Sequence, residues 1–384
     1  MAATKVAILT NIISPYRISF FNCLNRHSDI ELKVFYAAEQ ESNRSWKTYY
    51  DEIKYPFEIL KGIHLSDYGK TVYLSIGLFS RLNKFRPDVV IVGTGILNTP
   101  VSWLALLYAR LRKIPTIRYE ANHEYTVSSS ILRRAIYKCY YALVDSFFVY
   151  SSLTQRYLMT FGINSDRIKV GYNVGETDFF AVRTRSYAQS ETFVEVRNKY
   201  PSVMLLYIGR LAREKNILGL LDCLFSFDPH DVGLFILGDG PLEKAVAKKI
   251  GEFRNLQVFF EGFRQKDECV KYFALSDILV LPSLVDPASI VLSEGLSSGL
   301  FTVGSKYDGS AENFIRHGKN GFIIDPLNEM EFKQYLKKAI QMVKDGLIDG
   351  EKIRMSMSQY TVEKYAERLV EMIKAVKCVE VLSH

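Results

Sequence analysis

The sequence predicts an α/β protein made of two doubly wound, Rossmann-like domains. The chain has 384 residues, more than one ordinary domain, which suggests two of about 180 residues each. In each half, short apolar runs alternate with segments of helical periodicity, which is typical of parallel sheets covered by helices. A hydrophobic content of 48% with 24% charged residues is that of a soluble globular chain.

In the first half, the predicted strands are apolar runs rich in β-branched and aromatic residues: Lys5–Thr10, Glu31–Tyr36, Pro56–Leu60, Asp88–Val92, Pro115–Tyr119, Ser146–Tyr150 and Arg167–Tyr172. Apolar residues recur at helical spacing between several of them, over Arg17–His27, Pro100–Arg112, Ile131–Leu143 and Leu153–Phe161. Residues 1–172 are therefore predicted to form the N-terminal domain.

Residues 173–200 are polar and do not show this alternation of apolar runs and helical periodicity. The segment ends before Pro201, and we predict that it is an interdomain linker. The strand pattern then restarts at Val203–Ile208, Gly233–Leu237, Leu256–Phe260, Ile278–Leu281, Phe301–Val303 and Phe322–Ile324. We predict a C-terminal domain over residues 201–360. Residues 361–384 are predicted as a helix that packs back on the N-terminal domain, because its apolar positions follow one face: Tyr365, Leu369, Met372, Ile373 and Val376.

The net charge of +7 is unevenly distributed. Residues 1–172 hold 22 Lys and Arg against 13 Asp and Glu, whereas the rest holds 27 against 29. A basic first half indicates an anionic surface or substrate, and no nucleic-acid motif accompanies it. The five cysteines are scattered without metal-ligand spacing, and we find neither a signal peptide nor an apolar run of about 20 residues. These observations favour a cytoplasmic location without disulfides or a bound metal.

The stretch from Pro282 to Gly299 carries two acids, Asp286 and Glu294, around a predicted helix start. On a helix this spacing corresponds to a rise of roughly 12 Å and about 80° of rotation, so both acids face broadly the same way. Carboxylates accept hydrogen bonds from hydroxyls, and a helix N-terminus favours phosphate. The stretch therefore has the chemistry to bind both rings of a nucleotide sugar. The alternative is a strand–helix unit with two solvated acids.

Three turns that follow predicted strands add candidate ligand contacts. Gly209 ends the strand Val203–Ile208, and Arg210 and Lys215 follow it, where two cations would neutralise a diphosphate. The turns at Gly238-Asp239-Gly240 and Gly262-Phe263 follow the next two strands. Each turn is consistent with lining a nucleotide pocket. The alternative is that the glycines and proline only mark the start of a helix and that the basic residues are simply exposed to solvent.

In this order, the segments GRL, EKN, GDGPL, GF, LPS and DPASIVLSEGLSSG resemble the C-terminal half of family 4 retaining glycosyltransferases, over about residues 203–325. The resemblance implies the GT-B fold, in which two Rossmann-like domains face each other across a cleft. It also implies that residues 201–360 bind a nucleotide-sugar donor and residues 1–172 bind the acceptor. The run from Thr10 to Arg17 looks like the first-strand loop of some members, so Asn11, Ser14, Tyr16 and Arg17 are first-loop or acceptor candidates.

By this resemblance, Arg210 and Lys215 bind the donor diphosphate, Glu294 binds the ribose and Asp286 contacts the donor sugar. Asp286 replaces the usual Glu and Ala288-Ser289 replaces the usual Phe-Gly, so the sugar pocket is expected to differ. The remaining donor-binding candidates are Gly209, Asn216, Gly238, Asp239, Gly240, Gly262, Phe263, Ala288, Ser289 and Ile290. Members need no metal or cofactor. The nucleotide sugar is a co-substrate, with a UDP-sugar favoured and a GDP-sugar next.

Two further regions of the first half are of functional interest. The segment from Tyr119 to Glu124 should end a strand facing the ligand, with His123 and Glu120 as candidate catalytic groups. A structural histidine is an equal alternative for His123. The basic, aromatic helix Ile131–Tyr141 fits either contact with an anionic membrane at its inner face or ordinary packing with a solvated basic stripe.

The predicted function is a cytoplasmic, retaining, metal-independent glycosyltransferase that transfers a hexose or N-acetylhexosamine. Its acceptor is a hydroxyl of a glycan, a lipid-linked glycan or a small molecule, without nucleic acid as a partner. The alternatives are a nucleotide-sugar epimerase or hydrolase, a non-catalytic nucleotide-sugar-binding protein and an NAD-dependent oxidoreductase. No GxGxxG follows Lys5–Thr10, which argues against the oxidoreductase.

Overall fold

A computed structural model describes residues 3–41, 46–67, 70–97, 99–126 and 130–382. The chain divides into two compact units. The first unit comprises Met1–Tyr172 together with Val362–His384, and the second comprises Asn173–Thr361. The C-terminal helix thus belongs to the same unit as the N-terminal residues.

The first unit is built around a parallel sheet. In chain order its elements are β1 (Thr4–Thr10), α1 (Pro15–Asn25), β2 (Ile30–Tyr36), β3 (Phe57–Ile59), β4 (Gly62–Asp67), β5 (Lys70–Ser75), α2 (Leu78–Phe85), β6 (Val89–Val92), α3 (Pro100–Leu111), β7 (Thr116–Glu120), α4 (Ile131–Ala142), β8 (Ser146–Val149), α5 (Ser152–Met159) and β9 (Ile168–Val170). The sheet order is β3-β2-β1-β6-β7-β8-β9. The order reverses between β1 and β6, so loops diverge there at the carboxyl-terminal edge.

The strands and helices near the sheet's centre form where the sequence is most apolar. The four residues of β6 are all buried, as expected for a strand covered by helices on both faces. The helix α1 begins at Pro15, whose fixed φ suits the first helical position. An antiparallel hairpin of β4 and β5 was not predicted, because the run Gly62–Ser75 mixes charged, polar and apolar residues without regular alternation.

The second unit repeats this architecture. Its elements are α6 (Thr177–Ala188), α7 (Phe193–Arg197), β10 (Val203–Ile208), α8 (Ile217–Phe225), β11 (Val232–Leu237), α9 (Glu243–Ile250), β12 (Gln257–Gly262), α10 (Lys266–Leu275), β13 (Ile278–Leu281), α11 (Ile290–Ser297), β14 (Phe301–Ser305), α12 (Ala311–Phe314), β15 (Gly321–Ile324), α13 (Glu329–Lys344) and α14 (Gly350–Ser356). All pairings in the order β12-β11-β10-β13-β14-β15 are parallel. The predicted doubly wound α/β architecture is confirmed.

Residues 173–200 are not the linker that the sequence predicts. They form α6 and α7 of the second unit. Phe180 on α6 is 2% exposed, and its ring lies 5.0 Å from that of Phe273 on α10. A few buried side chains anchor an otherwise polar helix, so its apolar face is too narrow to show in the periodicity.

The last helix, α15 (Val362–Leu382), completes the core of the first unit. Tyr365 packs its ring 4.4 Å from that of Phe20 and stacks on Phe148 at 5.5 Å. Its hydroxyl accepts a hydrogen bond of 2.6 Å from the Tyr119 hydroxyl. Ala366, Leu369 and Ile373 follow on the same face, and all three are fully buried.

Candidate functional site

The candidate donor site lies at the carboxyl-terminal ends of β10 and β13, where the strand order of the second unit reverses. Ligands of open α/β sheets bind at such a switch point, because the loops of neighbouring strands separate there. A cavity of about 70 Å³ occupies this position. Its walls include Gly209, Lys215, Ser283, Asp286 and Ser289.

An ion pair joins the two loops that border this cavity. The Lys215 ammonium lies 2.5 Å from a carboxylate oxygen of Asp286, and their side chains are 25% and 9% exposed. The loops also meet through the backbone, because the Glu214 carbonyl accepts hydrogen bonds from the N–H groups of Leu284 at 2.8 Å and Val285 at 3.3 Å. The structure therefore brings together a cation and a carboxylate that the sequence assigned to neighbouring parts of one ligand.

The second predicted cation, Arg210, lies in the same loop and forms an ion pair with Glu214. Both side chains keep 36% of their surface exposed, so this ion pair is more accessible to solvent than the pair of Lys215 and Asp286. The Tyr207 hydroxyl donates a hydrogen bond of 3.0 Å to the Arg210 carbonyl. Asn216 has a left-handed backbone with φ of 56°, which turns the chain into α8. Arg210 is thus held by its backbone while its guanidinium remains accessible.

The predicted glycine turns hold the strand-end loops edge to edge. A Cβ on Gly238, whose φ is 144°, would lie 2.0 Å from the Gly209 carbonyl oxygen. A Cβ on Gly240, with φ of 147°, would lie 2.7 Å from the Leu211 carbonyl oxygen. The Leu211 N–H donates to the Asp239 carbonyl at 2.7 Å. Only glycine fits this close approach of two backbones.

The remaining turn residues lie on either side of these loops. Gly262, with φ of 68°, accepts a hydrogen bond of 2.9 Å from the Gly238 N–H, and the partly buried Phe263 follows it. Across the sheet, Ser289 is the N-cap of α11 and Ile290 its first residue. The Ala288 carbonyl accepts a hydrogen bond of 3.3 Å from the Asn173 side chain. The predicted donor-binding residues thus lie along one edge of the second unit.

Glu294 lies on α11 beneath the segment that leads into α6. A Cβ on Gly175 would lie 2.6 Å from a Glu294 carboxyl oxygen, and the Gly175 N–H donates to the Ser293 hydroxyl at 3.0 Å. Burial raises the pKa of Glu294 to about 8, and the negative charge of Glu176 adds to this effect. The nearby Lys266 ammonium opposes it but lies 2.7 Å from Glu176. Glu294 therefore carries a proton near neutral pH.

One acid of the site, Asp308, was not predicted. It follows β14, is 0% exposed and forms a parallel bridge with Asp286. One carboxyl oxygen accepts hydrogen bonds from the N–H groups of Ser289 at 3.0 Å and Ser310 at 2.8 Å. Burial, and then the charge of Asp286, raise the pKa of Asp308 well above its usual range. The only available signal was its place after an apolar strand, like that of Asp286.

In the first unit, the Glu120 carboxylate is structural. It is 1% exposed and accepts hydrogen bonds from the Arg118 guanidinium at 3.1 Å, the Tyr141 hydroxyl at 3.0 Å, and the N–H groups of Ala121 at 2.9 Å and Asn122 at 3.0 Å. Four donors occupy the lone-pair positions of a carboxylate. Glu120 therefore orders the turn after β7, and our interpretation of it as a candidate catalytic group is corrected.

His123 is also fully buried, at 0% exposure, in the turn after β7. The hydroxyl of Thr126 closes this turn through hydrogen bonds of 2.8 Å with the backbone N–H and carbonyl of His123. The imidazole ring packs edge-on against Tyr125, with ring centroids 5.8 Å apart. This environment favours the structural alternative for His123.

The first-loop candidates lie at the carboxyl-terminal edge of the first unit's sheet. Ser14 is the N-cap of α1, Asn11 is partly buried, and the Tyr16 ring contacts Trp46 edge-on at 6.3 Å. The Arg17 guanidinium donates to the Tyr150 hydroxyl and lies 5.6 Å from the centre of the Tyr150 ring. Aromatic rings placed in this way stabilise a guanidinium through cation–π contacts.

Two kinds of feature are absent from the described residues. No three or more His, Cys, Asp or Glu side chains gather there in a way that would hold a metal ion. None of the described helices has both the length and the apolar composition needed to cross a membrane.

Residues 189–364 match the family of glycosyl transferases group 1. The sulfoquinovosyl transferase SQD2 of Arabidopsis thaliana is 25% identical over 265 residues, which are 66% of this chain and 50% of that protein. The amylovoran biosynthesis glycosyltransferase AmsD of Erwinia amylovora is 22% identical over 289 residues, or 75% and 76% of the two chains. The chain spans about half the length of several curated relatives that it matches.

The fold has solved counterparts. The structure of Anabaena Alr3699/HepE in complex with UDP superposes with a TM-score of 0.73 at 16% identity, covering 97% of this chain and 100% of that one. The lipopolysaccharide outer core galactosyltransferase WaaB in its apo form gives a TM-score of 0.69 at 19% identity, covering 97% and 99%. The chain therefore has the GT-B fold, and the part of it that matches the glycosyl transferases group 1 is residues 189–364. The predicted GT-B fold is confirmed.

Proposed function

We propose that this protein is a retaining, metal-independent glycosyltransferase of family 4 that transfers a sugar from a UDP-sugar to an acceptor hydroxyl. The observation that carries the proposal is the meeting of Lys215 and Asp286 in a cavity at the switch point, with the partly exposed Arg210 in the same loop as Lys215. A cation and an acid in one small space, with a second cation in the same loop, match a diphosphate joined to a hydroxylated ring. The HepE structure, solved in complex with UDP, supports the choice of nucleotide.

In this proposal, Lys215 and Arg210 neutralise the charge that develops on the diphosphate as the bond to the sugar breaks. Asp286 accepts a hydrogen bond from a sugar hydroxyl. Glu294, which lies on α11, binds the ribose hydroxyls. The acceptor attacks from the face that the diphosphate leaves, and a diphosphate oxygen takes the acceptor's proton. Catalysis then rests on orientation and charge stabilisation, so neither Glu120 nor His123 has to act as a base.

The proposal is tested by thermal shift with UDP, GDP, ADP and their sugars, followed by mass spectrometry of reactions with and without acceptors. A ligand that binds only the native state raises its unfolding temperature, and we expect the UDP compounds to do so most. Turnover should persist in EDTA. A new sugar product from the donor alone would instead indicate an epimerase or hydrolase. Binding without turnover on any acceptor would indicate a non-catalytic binding protein.

A lipid-linked glycan acceptor is supported by the surface of the first unit. Ile131 and Leu132 at the start of α4 are 88% and 72% exposed, and Lys138 follows on the exposed side. The neighbouring α3 exposes three leucines at helical spacing, Leu104, Leu107 and Leu111. The two helices touch through the rings of Trp103 and Tyr140, 4.9 Å apart. Apolar side chains among basic ones on adjacent helices suit an anionic membrane face.

We therefore propose peripheral contact with the inner face of the membrane. Replacing Arg133, Arg134 and Lys138 together by Ser should reduce co-sedimentation with anionic vesicles. Each cation contributes about 1 kcal/mol near such a surface, so three correspond to a loss of about 100-fold. Binding of the unchanged protein should weaken with salt, because the Debye length is about 8 Å at physiological ionic strength.

A matched control changes the same charge elsewhere. Lys244, Lys248 and Lys319 are exposed on the second unit, and their joint replacement by Ser should leave vesicle binding within about threefold of the unchanged protein. Equal losses in both triple variants, or no binding at low salt, would leave a soluble acceptor as the better proposal. Transfer to a soluble acceptor analogue should be unaffected in both.

A further inference from the structure

We propose that Asp308 is a positioning residue that shares a single proton with Asp286 and thereby fixes the charge of the loop that contacts the donor sugar. The inference rests on the proposed function, because it assigns that loop to the donor. Asp308 lies outside the sequence motifs and follows a different strand from Asp286. Its role is therefore visible only in the folded chain.

The backbone places the two carboxyl groups side by side. Asp286 and Asp308 are partners in a parallel bridge, in which the Asp286 N–H donates to the Tyr307 carbonyl at 3.3 Å and the Gly309 N–H donates to the Asp286 carbonyl at 3.0 Å. Paired residues of neighbouring strands are about 4.8 Å apart and point to the same side. The two acids therefore share one small, buried space.

We infer the position of the proton from the hydrogen bonds of the two acids. Asp286 already has a cationic partner, because the Lys215 ammonium lies 2.5 Å from its carboxylate. One oxygen of Asp308 accepts from the N–H groups of Ser289 and Ser310, whereas no described residue donates to its buried Oδ2. A buried carboxylate oxygen without a donor is costly, and a proton on that oxygen removes the cost. Two adjacent carboxyl groups cannot both ionise easily, so one keeps a proton.

The electrostatics of the site agree with this geometry. The charged groups that act on Asp308 are Asp286, from the loop after β13, and Lys215, from the loop after β10. Burial raises the pKa of Asp308, the Asp286 charge raises it further, and two N–H donors and Lys215 oppose the change. Asp308 therefore keeps its proton to a higher pH than an ordinary aspartate.

The shared proton has a consequence for the donor. While Asp308 is neutral, Lys215 has one carboxylate partner, and the N–H of Ser289 is held at the start of α11. When Asp308 loses its proton, a second negative charge enters the space next to the proposed diphosphate site. Donor affinity should then fall with rising pH, by up to tenfold per pH unit above the pKa of Asp308.

The test compares the unchanged protein with Asp308→Asn by isothermal titration of UDP-glucose between pH 5.5 and 9. An amide has the shape of the neutral acid and supplies a donor in place of its proton. We expect Asp308→Asn to keep the affinity that the unchanged protein has at low pH, and to lose its decline at high pH. The control Asp345→Asn, an exposed acid at the end of α13, should retain the decline.

A second readout does not depend on the donor. A carboxyl whose folded-state pKa is raised binds more protons when folded, so its contribution to stability is complete below its unfolded pKa and is lost as pH rises towards the folded one. From pH 5 to 7, the folding equilibrium constant from urea denaturation should fall more steeply with pH in the unchanged protein than in Asp308→Asn, by up to tenfold per unit.

If the folding equilibrium constant changes equally steeply with pH in the unchanged protein and in Asp308→Asn, the proposal of a shared proton is overturned. A pH decline of UDP-glucose affinity that persists in Asp308→Asn would overturn its effect on the donor. Different stability slopes with no binding of any nucleotide sugar at any pH would overturn the proposed function and leave the shared proton supported.

Discussion

Replacement of Lys215 by Met should cost both activity and stability, whereas Arg210→Met should cost activity alone. The two cations lie in one loop but have different partners. Lys215 neutralises Asp286, whose side chain is 9% exposed, while Arg210 neutralises Glu214, whose side chain is 36% exposed. Removing one partner of a fully buried pair typically costs about 3–5 kcal/mol, and an exposed pair contributes about 0.2–1 kcal/mol.

Because the Lys215 side chain keeps 25% of its surface exposed, we expect a loss of about 2–3 kcal/mol for Lys215→Met. A domain of this size loses about 2–4 °C of unfolding temperature per kcal/mol, so the transition should fall by roughly 5–10 °C. Arg210→Met should stay within about 4 °C. Differential scanning calorimetry measures both. Transfer should fall about 10²–10³-fold in each variant, by loss of one charge at the leaving group.

The double variant Lys215→Met with Asp286→Asn tests whether the lost ion pair causes the loss of stability. It also removes the Asp286 charge that Lys215→Met leaves without a partner, so most of the lost stability should return while transfer stays low. If the double variant is no more stable than Lys215→Met, or if both single variants lose the same stability, the ion pair is not the reason for the difference. Near-normal transfer in both single variants would refute the assignment of the two cations to the diphosphate.

Three further predictions concern other residues of the site. Glu294→Ala should weaken binding of UDP itself and Asp286→Ala mainly that of the UDP-sugar, as read by isothermal titration; equal losses for UDP alone would contradict this division. Gly238→Ala should lower stability by about 2–3 kcal/mol or more, since its Cβ would meet the Gly209 carbonyl, whereas Gly318→Ala, with φ of 80° and open space around it, should cost about 1 kcal/mol in the same thermal assay. Stability should fall as pH rises from about 4.5 to about 8 through the raised pKa of Glu294, and Glu294→Gln should flatten that decline in urea denaturation across the same range.

The parallel strands were predictable because they are buried on both faces and read as short apolar runs. The segment Ile278–Leu281 is such a run, and its boundaries agree with those of β13. The hairpin Gly62–Ser75 and the helix Thr177–Ala188 were not predictable by the same means. Their few apolar residues follow neither a clear alternation nor a broad helical face, and tertiary contacts decide their structure.

Site residues that directly follow a strand in the sequence were predictable. Those that reach the site only because two particular strands are neighbours in the sheet were not. Lys215, Asp286 and Glu294 were identified from local pattern and family resemblance. Asp308 enters the site because β14 pairs with β13, and sequence order alone does not reveal that its carboxyl group meets Asp286. Glu120 was misjudged for the related reason that its donors include Tyr141, which only the folded helix α4 brings near.

The placement of α15 has a consequence for the order of events during synthesis. The aromatic core of the first unit is closed by Tyr365, which the ribosome adds only after the whole second unit has been synthesised. At translation speeds of about 5–20 residues per second, the first unit waits roughly 10–40 s for its last helix. During that interval the rings of Phe20 and Phe148 lack their cover. The half of the protein that is made first is therefore the half that finishes folding last. A stop codon shortly before α15 would remove the helix that covers the core of the first unit, although that core is built mainly from the N-terminal residues.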